Sequence, residues 1–213
     1  MKWTMKKIAV LLLLYVSGCN LMLRGQSPDP MPNGTKEGEV FIAGGHSVAG
    51  GRGDSGVFQA GFRFGRVLFQ APKGNLEYSI DLIPLYFVSQ RQNAYGASFT
   101  PFNLKYNFTA FHRVVPYLEL GGGVLFTNHD VPDGTNSVNF TPQAGLGVHI
   151  PIRPGSNRHL GIALRYIHIS NAGLSVPNPG LNTVQVKLSI GHFCSPDRST
   201  YSDQSRKCRY YRP

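Results

Sequence analysis

The chain has 213 residues and a formal net charge of +10, but only 15% of its residues are charged and 41% are hydrophobic. Thirteen phenylalanines and ten tyrosines exclude a disordered chain, because such chains lack the apolar surface that a core needs. The length allows one domain with a sizeable core. Apolar residues at the 3.6-residue spacing of long helices are scarce, which favours an all-β fold.

The N-terminus is typical of a bacterial export signal. Three lysines precede the apolar stretch 8–15, which is too short to span a bilayer. The stretch leads into "VSGC", residues 16–19, which resembles a lipobox, where the cysteine, here Cys19, is lipidated. The alternative is an ordinary cleavage site after small residues, with Cys19 incidental. Both interpretations predict an exported protein with a signal peptide over residues 1–18.

Export changes what the positive charge implies. Removing the three lysines of the signal peptide lowers the formal charge from +10 to +7. A basic surface suits nucleic acid, but an exported protein meets anionic lipid or lipopolysaccharide instead, so we expect no nucleic-acid partner. The alternative is that arginines in the loops and the tail only improve solubility.

The cysteines fit an oxidising compartment. Cys194 and Cys208 are spaced to close a short loop, and the periplasm permits a disulfide between them. A metal site would need several ligands at suitable spacing. The seven histidines are scattered along the chain, so the sequence predicts no metal site.

Turn-forming residues divide the rest of the chain. Residues 19–36 are polar and proline-rich and predict a linker, residues 37–193 predict the folded domain, and residues 194–213 form a basic C-terminal tail. Eight runs with strand-like alternation lie in the folded domain, bounded by clusters of Gly, Pro, Asn and Asp. The runs are 37–46, 57–69, 75–90, 98–109, 114–127, 138–152, 159–171 and 182–193.

The connections between the runs predict a membrane barrel. Those after the first, third, fifth and seventh runs are long and polar, whereas those after the second, fourth and sixth are shorter. Bacterial outer-membrane barrels combine long outer loops with short periplasmic turns, and eight is a permitted strand number. The sequence therefore predicts an all-β, eight-stranded antiparallel transmembrane β-barrel of the bacterial outer membrane.

The two faces of each run differ in polarity. In the last run, apolar side chains at even positions alternate with polar side chains at odd positions. A membrane barrel turns the apolar face to lipid and fills its lumen with polar groups, whereas a soluble ligand-binding barrel, the weaker alternative, turns it inward. Lumenal charges must then offset each other, because unpaired buried charge is costly. The cations are Arg63, Lys105, Arg165 and Lys187, and the acids are Glu77, Asp81 and Glu119.

Prolines interrupt three of the runs. Pro84, Pro116 and Pro142 lie inside predicted strands, where proline removes a ladder donor and prefers a bulge or a strand end. Either these prolines mark bulges or they argue against the strands. Strict alternation through Pro84 places Tyr86 on the outward face together with Tyr78.

The seventh run ends in a polar pair on its outward face. "YIHIS", residues 166–170, continues an apolar stripe into His168 and Ser170. Residues two apart on a strand project side by side, so the imidazole can reach the hydroxyl and take its proton. The turn-rich loop that follows offers backbone N–H groups for an oxyanion. The alternative is that the pair only marks where the strand leaves the lipid, since His-x-Ser is a weak pattern.

The stretch "RYIHISNAGLSVPNPGLN", residues 165–182, together with the export signal and the eight runs, resembles the PagL-type lipid A 3-O-deacylases of Gram-negative outer membranes. The resemblance covers roughly residues 38–193. It implies a barrel that hydrolyses the ester-linked 3-O-acyl chain of lipid A at the outer leaflet, without a cofactor. It also implies Ser170 as nucleophile and His168 as general base. The positions that shape or supply the oxyanion hole are Asn171, Gly173 and Asn178.

One position departs from the family's pattern. The family's third catalytic residue is an acid twelve residues after the serine, and here that position is Asn182. Its carbonyl oxygen can accept from Nδ1–H of His168, as in Cys-His-Asn enzymes, but it gives the imidazolium no full charge. In a serine protease, aspartate to asparagine costs about 10⁴ in kcat. The sequence therefore leaves open a slower enzyme or a non-catalytic structural or adhesive barrel, and also a homodimer.

Overall fold

The structure is a computed structural model that describes residues 31–51, 54–111, 113–154 and 156–196. The predicted signal peptide, Cys19, most of the predicted linker and nearly all of the tail lie outside these residues, so their assignments stay predictions. Cys194 is disulfide-bonded, and its predicted partner Cys208 lies outside the described residues. No helix in the described ranges is long and apolar enough to cross a membrane.

Nine β-strands form one closed antiparallel sheet in the described part of the chain. They are β1 (Lys36–Gly50), β2 (Gly56–Ala71), β3 (Gly74–Ser89), β4 (Ala94–Phe108), β5 (Val115–Thr127), β6 (Val138–Phe140), β7 (Gln143–Pro151), β8 (Arg158–Ile169) and β9 (Leu181–Cys194). Strand β1 closes the barrel by pairing with both β2 and β9. Strands β6 and β7 both pair with β5, so together they act as one strand of the barrel. The barrel is therefore eight-stranded, as the sequence predicts.

Proline explains why the sixth predicted strand is split. Pro142 lies between β6 and β7 and has no N–H to donate to a ladder. Its carbonyl oxygen still accepts from the backbone N–H of His168 at 3.0 Å. Pro116, in contrast, lies within β5 opposite Val148, in a ladder with no register shift.

Pro84 lies in a bulge that makes one predicted side-chain direction wrong. The β3–β4 register shifts between Ile83 and Tyr86, and the β2–β3 register shifts along the same segment. A bulge adds a residue to one strand, so the alternation changes face beyond it. Tyr86 consequently points into the lumen and is 1% exposed, whereas strict alternation places it outside with Tyr78.

The alternating faces are oriented as a membrane barrel requires. On the outside of β9, Val186 and Leu188 are 50% and 48% exposed, while Gln185 and Lys187 between them are buried. The same alternation runs through β2, β4 and β8. The exposed face is thus the apolar one, and the soluble-barrel alternative, which buries that face, is wrong.

The outer connections are shorter than the turn signals suggest. Strand β1 continues to Gly50 because its last residues still pair with the start of β9. The connection after β1 is therefore only 51–55. Two long connections remain, 128–137 and 170–180, at the same end of the barrel. We call this the loop end, and the opposite end, where β1 begins, the turn end.

Charged side chains fill the middle of the lumen. Arg63 Nε lies 2.7 Å from Asp81 Oδ1, and Arg63 Nη1 lies 2.6 Å from Glu119 Oε2. Arg165 Nε donates to Glu119 Oε1 at 2.6 Å. One carboxylate thus bridges two guanidinium groups, and the lumenal charges that the sequence predicts do meet as ion pairs.

Two further acids, both from β1, extend this network to the turn end. Lys105 Nζ lies 2.7 Å from both carboxylate oxygens of Glu37 and 3.2 Å from Glu77 Oε2. Lys187 forms an ion pair with Glu39. Glu37 and Glu39 were not counted among the lumenal acids predicted from the sequence, because they lie at the very start of the first strand.

Two of the scattered histidines also meet at the turn end. His149 and His159 contact edge to face with ring centroids 4.3 Å apart. One ligand atom from each of these histidines and from Glu37 and Glu39 lies within 4.8 Å of the others. Lys105 Nζ lies 3.3 Å from His149 Nε2 and also binds Glu37. The carboxylates of Glu37 and Glu39 are therefore already paired with the ammonium groups of Lys105 and Lys187.

Apolar side chains form a buried cluster in the loop-end half of the lumen. Ile167 and Ile169 of β8 and Leu181 of β9 are at most 2% exposed and belong to one buried cluster. The other members are Phe41, Val57, Ile83, Tyr86, Val88, Ala94, Leu125 and Val131. This apolar core lies directly behind the strand ends that carry the polar pair.

Candidate active site

Strands β8 and β9 direct the candidate residues to one outward face. His168 lies opposite Asn182 in the ladder, and the next outward pair is Tyr166 opposite Val184. Ile167, between these positions, is 2% exposed and lies in the apolar core. Because side chains alternate along a strand, its neighbours on both sides project outward.

A hydrogen bond joins His168 Nδ1 to Asn182 Oδ1 at 2.7 Å. An amide oxygen only accepts, so the imidazole donates from Nδ1 and keeps Nε2 as an acceptor. Asn182 Oδ1 also accepts from the Tyr166 hydroxyl at 2.6 Å, and Asn182 Nδ2 donates to the carbonyl oxygen of Ala49 at 3.3 Å. This tautomer is the one that a general base facing a serine needs.

Ser170 follows the end of β8 and is fixed by the short strand β6. The backbone N–H of Phe140 donates to the Ser170 carbonyl oxygen at 2.7 Å, and the Ser170 N–H donates to the Phe140 carbonyl oxygen at 3.1 Å. Ser170 is 7% exposed. Within the described residues His168 is hydrogen-bonded to Asn182 and not to the Ser170 hydroxyl. Such contacts are often long in substrate-free sites and tighten when substrate binds.

The side chain of Asn171 organises the loop 170–180. Its Oδ1 accepts from the Gly173 N–H at 2.9 Å, and its Nδ2 donates to Ser175 Oγ at 2.8 Å. The Asn171 N–H donates to Asn178 Oδ1 at 3.2 Å. The three residues implied for the oxyanion hole are therefore brought together. The backbone N–H groups of Asn171 and Gly173, however, already have side-chain acceptors.

Ala172 presents a backbone N–H that sequence reasoning missed. Ala172 and Gly173 have φ values of 54° and 79°, and the Leu174 N–H donates to the Asn171 carbonyl oxygen at 3.1 Å, which closes a type I′ turn. A residue with a Cβ in this left-handed region costs about 1–2 kcal/mol. In the described part of the chain the Ala172 N–H has no acceptor. Nothing in "NAG" reveals that its alanine takes this conformation.

Gly180 closes the loop against the imidazole. Its φ is +65°, and a Cβ at this position would lie 2.7 Å from Cε1 of His168. Its carbonyl oxygen accepts from the Gly51 N–H at 2.8 Å, which ties the loop to the end of β1. Glycine is thus required both for the backbone conformation and for the close approach. The sequence indicates only a turn here, because the contact depends on strand pairing.

An open apolar groove of about 250 Å³ adjoins the site on the outward face. Its lining residues are Ala144, Gly145, Leu146, Leu164, Arg165, Tyr166 and Val184. Tyr166 and Val184 are the pair next to His168 and Asn182 in the same ladder. The groove therefore begins beside the candidate site and continues along the lipid-facing surface.

A closed eight-stranded barrel with an apolar exterior, carrying a serine and a histidine–amide pair on that exterior, defines a membrane barrel with a hydrolase-like site. Residues 56–191 match the model of the PagL family, described as lipid A 3-O-deacylase. Because this match covers more than half of the chain, the chain belongs to the PagL family.

Individual relatives agree with this assignment. Lipid A deacylase PagL of Bordetella bronchiseptica (strain ATCC BAA-588 / NCTC 13252 / RB50) is 39% identical over 71 residues, which are 33% of this chain and 38% of that protein. The chain thus spans little more than a third of that relative's length in this match. The crystal structure of the outer membrane enzyme PagL aligns with a TM-score of 0.54 and 24% identity, over 71% of this chain and 97% of that chain. The second match shows a shared fold.

Proposed function

We propose that this protein is an outer-membrane serine esterase that removes the ester-linked 3-O-acyl chain of lipid A. Ser170 is the nucleophile, His168 is the general base, and Asn182 orients the imidazole. The observation that carries the proposal is the 2.7 Å hydrogen bond between His168 Nδ1 and Asn182 Oδ1, on the outward face of a barrel that belongs to a lipid A 3-O-deacylase family.

The proposed reaction has two halves. Ser170 Oγ attacks the ester carbonyl carbon while His168 Nε2 takes the hydroxyl proton. The imidazolium returns this proton to the departing sugar oxygen, which leaves lipid A with a free 3-hydroxyl and the acyl chain on Ser170. Water, deprotonated by the same imidazole, then attacks the acyl-enzyme carbonyl carbon. The imidazolium returns that proton to Ser170 Oγ as the chain leaves as a fatty acid. The reaction needs no cofactor.

The oxyanion that develops on the ester needs hydrogen-bond donors aimed at it. The backbone N–H of Ala172 supports this role because it has no acceptor among the described residues. Asn171 and Asn178 support it indirectly, since their side chains hold the turn that presents this N–H. Gly173 contributes the left-handed backbone that closes the turn.

Two observations support a membrane lipid as substrate. The outer surface of β8 and β9 is apolar up to the candidate site, with Leu164 46% exposed and Val186 50% exposed. The apolar groove that begins at Tyr166 suits a fatty acyl chain, because burial of methylene groups is favourable. With a periplasmic N-terminus the loop end faces outward, so the site meets the outer leaflet of the outer membrane. Lipopolysaccharide is then the partner, and a homodimer stays a prediction.

A second candidate function is a non-catalytic structural or adhesive outer-membrane barrel. Two features favour it: the neutral Asn182 where the family has an acid, and the absence of a hydrogen bond between His168 and Ser170 in the described structure. Under this alternative the polar pair only marks where β8 leaves the lipid. An activity assay separates the two functions.

The test is mass spectrometry of lipid A after incubation with the refolded barrel in detergent. We expect the wild type to remove one 3-hydroxyacyl chain and Ser170→Ala to remove none, a loss of at least about 10³-fold. Ser89→Ala, at the exposed end of β3, is the matched control and should keep full activity. Circular dichroism verifies that each variant is folded.

Absence of deacylation by a folded wild type would contradict the proposal in its simple form. Asn182→Glu then distinguishes two explanations. Activity that appears in Asn182→Glu would identify a catalytic site weakened by its neutral third residue. Continued inactivity would favour the non-catalytic barrel.

A further inference from the structure

The amide of Asn182 can face His168 in two ways, and only one of them supports catalysis. With Oδ1 towards Nδ1, the imidazole carries its proton on Nδ1 and leaves Nε2 free to take the proton of Ser170. With Nδ2 towards Nδ1, the proton moves to Nε2 and the base is blocked. This wrong tautomer is the reason given for the loss of about 10⁴ in kcat when the aspartate of a serine protease becomes asparagine.

Two contacts that do not involve His168 favour the productive orientation. The carbonyl oxygen of Ala49, which can only accept, accepts a hydrogen bond from Asn182 Nδ2 at 3.3 Å. The hydroxyl of Tyr166 donates to Asn182 Oδ1 at 2.6 Å. A rotated amide would set Oδ1 against the Ala49 carbonyl oxygen, two acceptors with no proton between them. It would also exchange a phenol donor for a weaker phenol acceptor.

These contacts depend on two features of the barrel. Strand β1 extends to Gly50 beyond a register shift between Ser47 and Ala49, and this extension brings Ala49 opposite Asn182. Tyr166 lies two residues before His168 on β8, on the same outward face. Asn182 is therefore held by three strands, and its amide has a partner for the oxygen and a partner for the nitrogen.

We infer that Tyr166 is a positioning residue: with the Ala49 carbonyl, its hydroxyl fixes the amide of Asn182 so that a neutral residue can orient the imidazole as an acid would. This inference rests on the proposed role of His168 as base. It predicts that Tyr166 matters only while residue 182 is an amide. A carboxylate has two accepting oxygens, so either orientation satisfies the Nδ1–H of His168.

The direct test is the tautomer of His168, read by long-range ¹H–¹⁵N spectra of the ¹⁵N-histidine-labelled barrel in detergent at pH 8, where an ordinary histidine is neutral. His168→Gln identifies the signal. We expect the wild type to carry its proton on Nδ1, and Tyr166→Phe to show a mixture with the Nε2–H form. Tyr95→Phe, an outward tyrosine of similar exposure on β4, is the matched control and should leave the signal unchanged.

The kinetic test is a double-mutant cycle between Tyr166→Phe and Asn182→Asp, measured as lipid A deacylation. With Asn182 present, Tyr166→Phe should lower kcat about tenfold, the effect of one lost hydrogen bond, with little change in KM. In the Asn182→Asp background the same substitution should change kcat less than about threefold. Equal losses in both backgrounds would show that the tyrosine acts in another way and would overturn the inference.

The two tests separate this inference from the proposed function. A wild type that deacylates lipid A while Tyr166→Phe leaves the His168 tautomer unchanged refutes the positioning role alone. A wild type without deacylase activity, whose tautomer still changes in Tyr166→Phe, refutes the proposed function and leaves the amide orientation established. A wild type with its proton on Nε2 overturns the inference outright.

Discussion

The two halves of the lumen are held by different side chains, an ion-pair network in one and an apolar cluster in the other, although the same strands line both. Along β8 the inward residue changes from Arg165, in the ion-pair network, to Ile167 and Ile169, in the apolar core. On the outward face the change runs the other way, from Leu164 to His168. Between Arg165 and Ile167 the polar side chains of β8 therefore change from the inward to the outward face. The outward polar site lies in front of apolar side chains of the lumen.

This difference assigns a separate task to each half. Buried ion pairs add little net stability, but removing one partner leaves an uncompensated charge and is strongly destabilising. An apolar core stabilises by burial and holds its neighbours through close packing. We therefore expect substitutions in the ion-pair network to change the stability of the barrel without changing the site, and substitutions that displace side chains at the loop end to change the geometry of the site.

The largest expected effect comes from removing the carboxylate that bridges the two arginines. Glu119→Ala leaves Arg63 with Asp81 alone and leaves Arg165 with only a 3.4 Å contact to the same Asp81. We expect the free energy of unfolding, from urea titrations of the barrel in lipid vesicles, to fall by about 3–5 kcal/mol. The deacylation rate per folded barrel should not change.

The matched control for this substitution is Asp54→Ala, because Asp54 is an exposed acid outside the lumen. It should alter the free energy of unfolding by less than about 0.5 kcal/mol. A Glu119→Ala barrel that stays folded but loses deacylase activity would contradict the separation of tasks, since it would couple the ion pairs to the site.

An intermediate effect, on activity, is expected for Gly180→Ala at the loop end. The new Cβ would lie 2.7 Å from Cε1 of His168, and φ of +65° disfavours any side chain. Either the imidazole or the loop must move, and a displacement of about 1 Å costs about 100-fold in kcat. Lipid A mass spectrometry at matched protein concentration measures this loss.

Gly34→Ala provides the same backbone strain without the collision. Gly34 has φ of +84°, and an added Cβ would meet ordinary contacts, the nearest at 3.5 Å. It lies before β1 at the turn end. The Gly34→Ala variant should lose about 1–2 kcal/mol of stability and keep its activity. Equal activity losses in the two variants would mean that strain, and not displacement of His168, explains the Gly180 effect.

Much of the fold could be predicted because the signal for it is local. The two-residue alternation specifies which face of each strand meets lipid, and turn residues separate eight such strands. Tyr86 was placed on the wrong face because the bulge at Pro84 depends on how β3 fits both neighbours. The extension of β1 to Gly50 was missed for the same reason, since "HSVAG", residues 46–50, lacks apolar alternation and is held as a strand by β9.

In the candidate site, too, the local features could be predicted from the sequence and the long-range contacts could not. Its outward residues follow from alternation, so His168 and Ser170 could be placed on one face, and antiparallel pairing brings Asn182 to His168. The contacts that tune the site join residues far apart in the chain, as Ala49 joins Asn182. The left-handed conformation of Ala172 is local but has no residue signature, because alanine rarely adopts it.

The smallest expected effect directly compares the packing of the apolar core inside the lumen with that of the lipid-facing surface. Ile169→Val removes one methyl group from the apolar core directly behind His168 and Ser170, where Ile169 is 0% exposed. We expect a loss of about 1 kcal/mol in the free energy of unfolding and less than a twofold change in kcat. Ile162→Val on the same strand faces lipid, which fills the space of a lost methyl group, so its stability should stay within about 0.5 kcal/mol of wild type. Equal losses at both positions would mean that the loop-end core is no better packed than the lipid-facing surface. The apolar half of the lumen could then not be what holds the site in place.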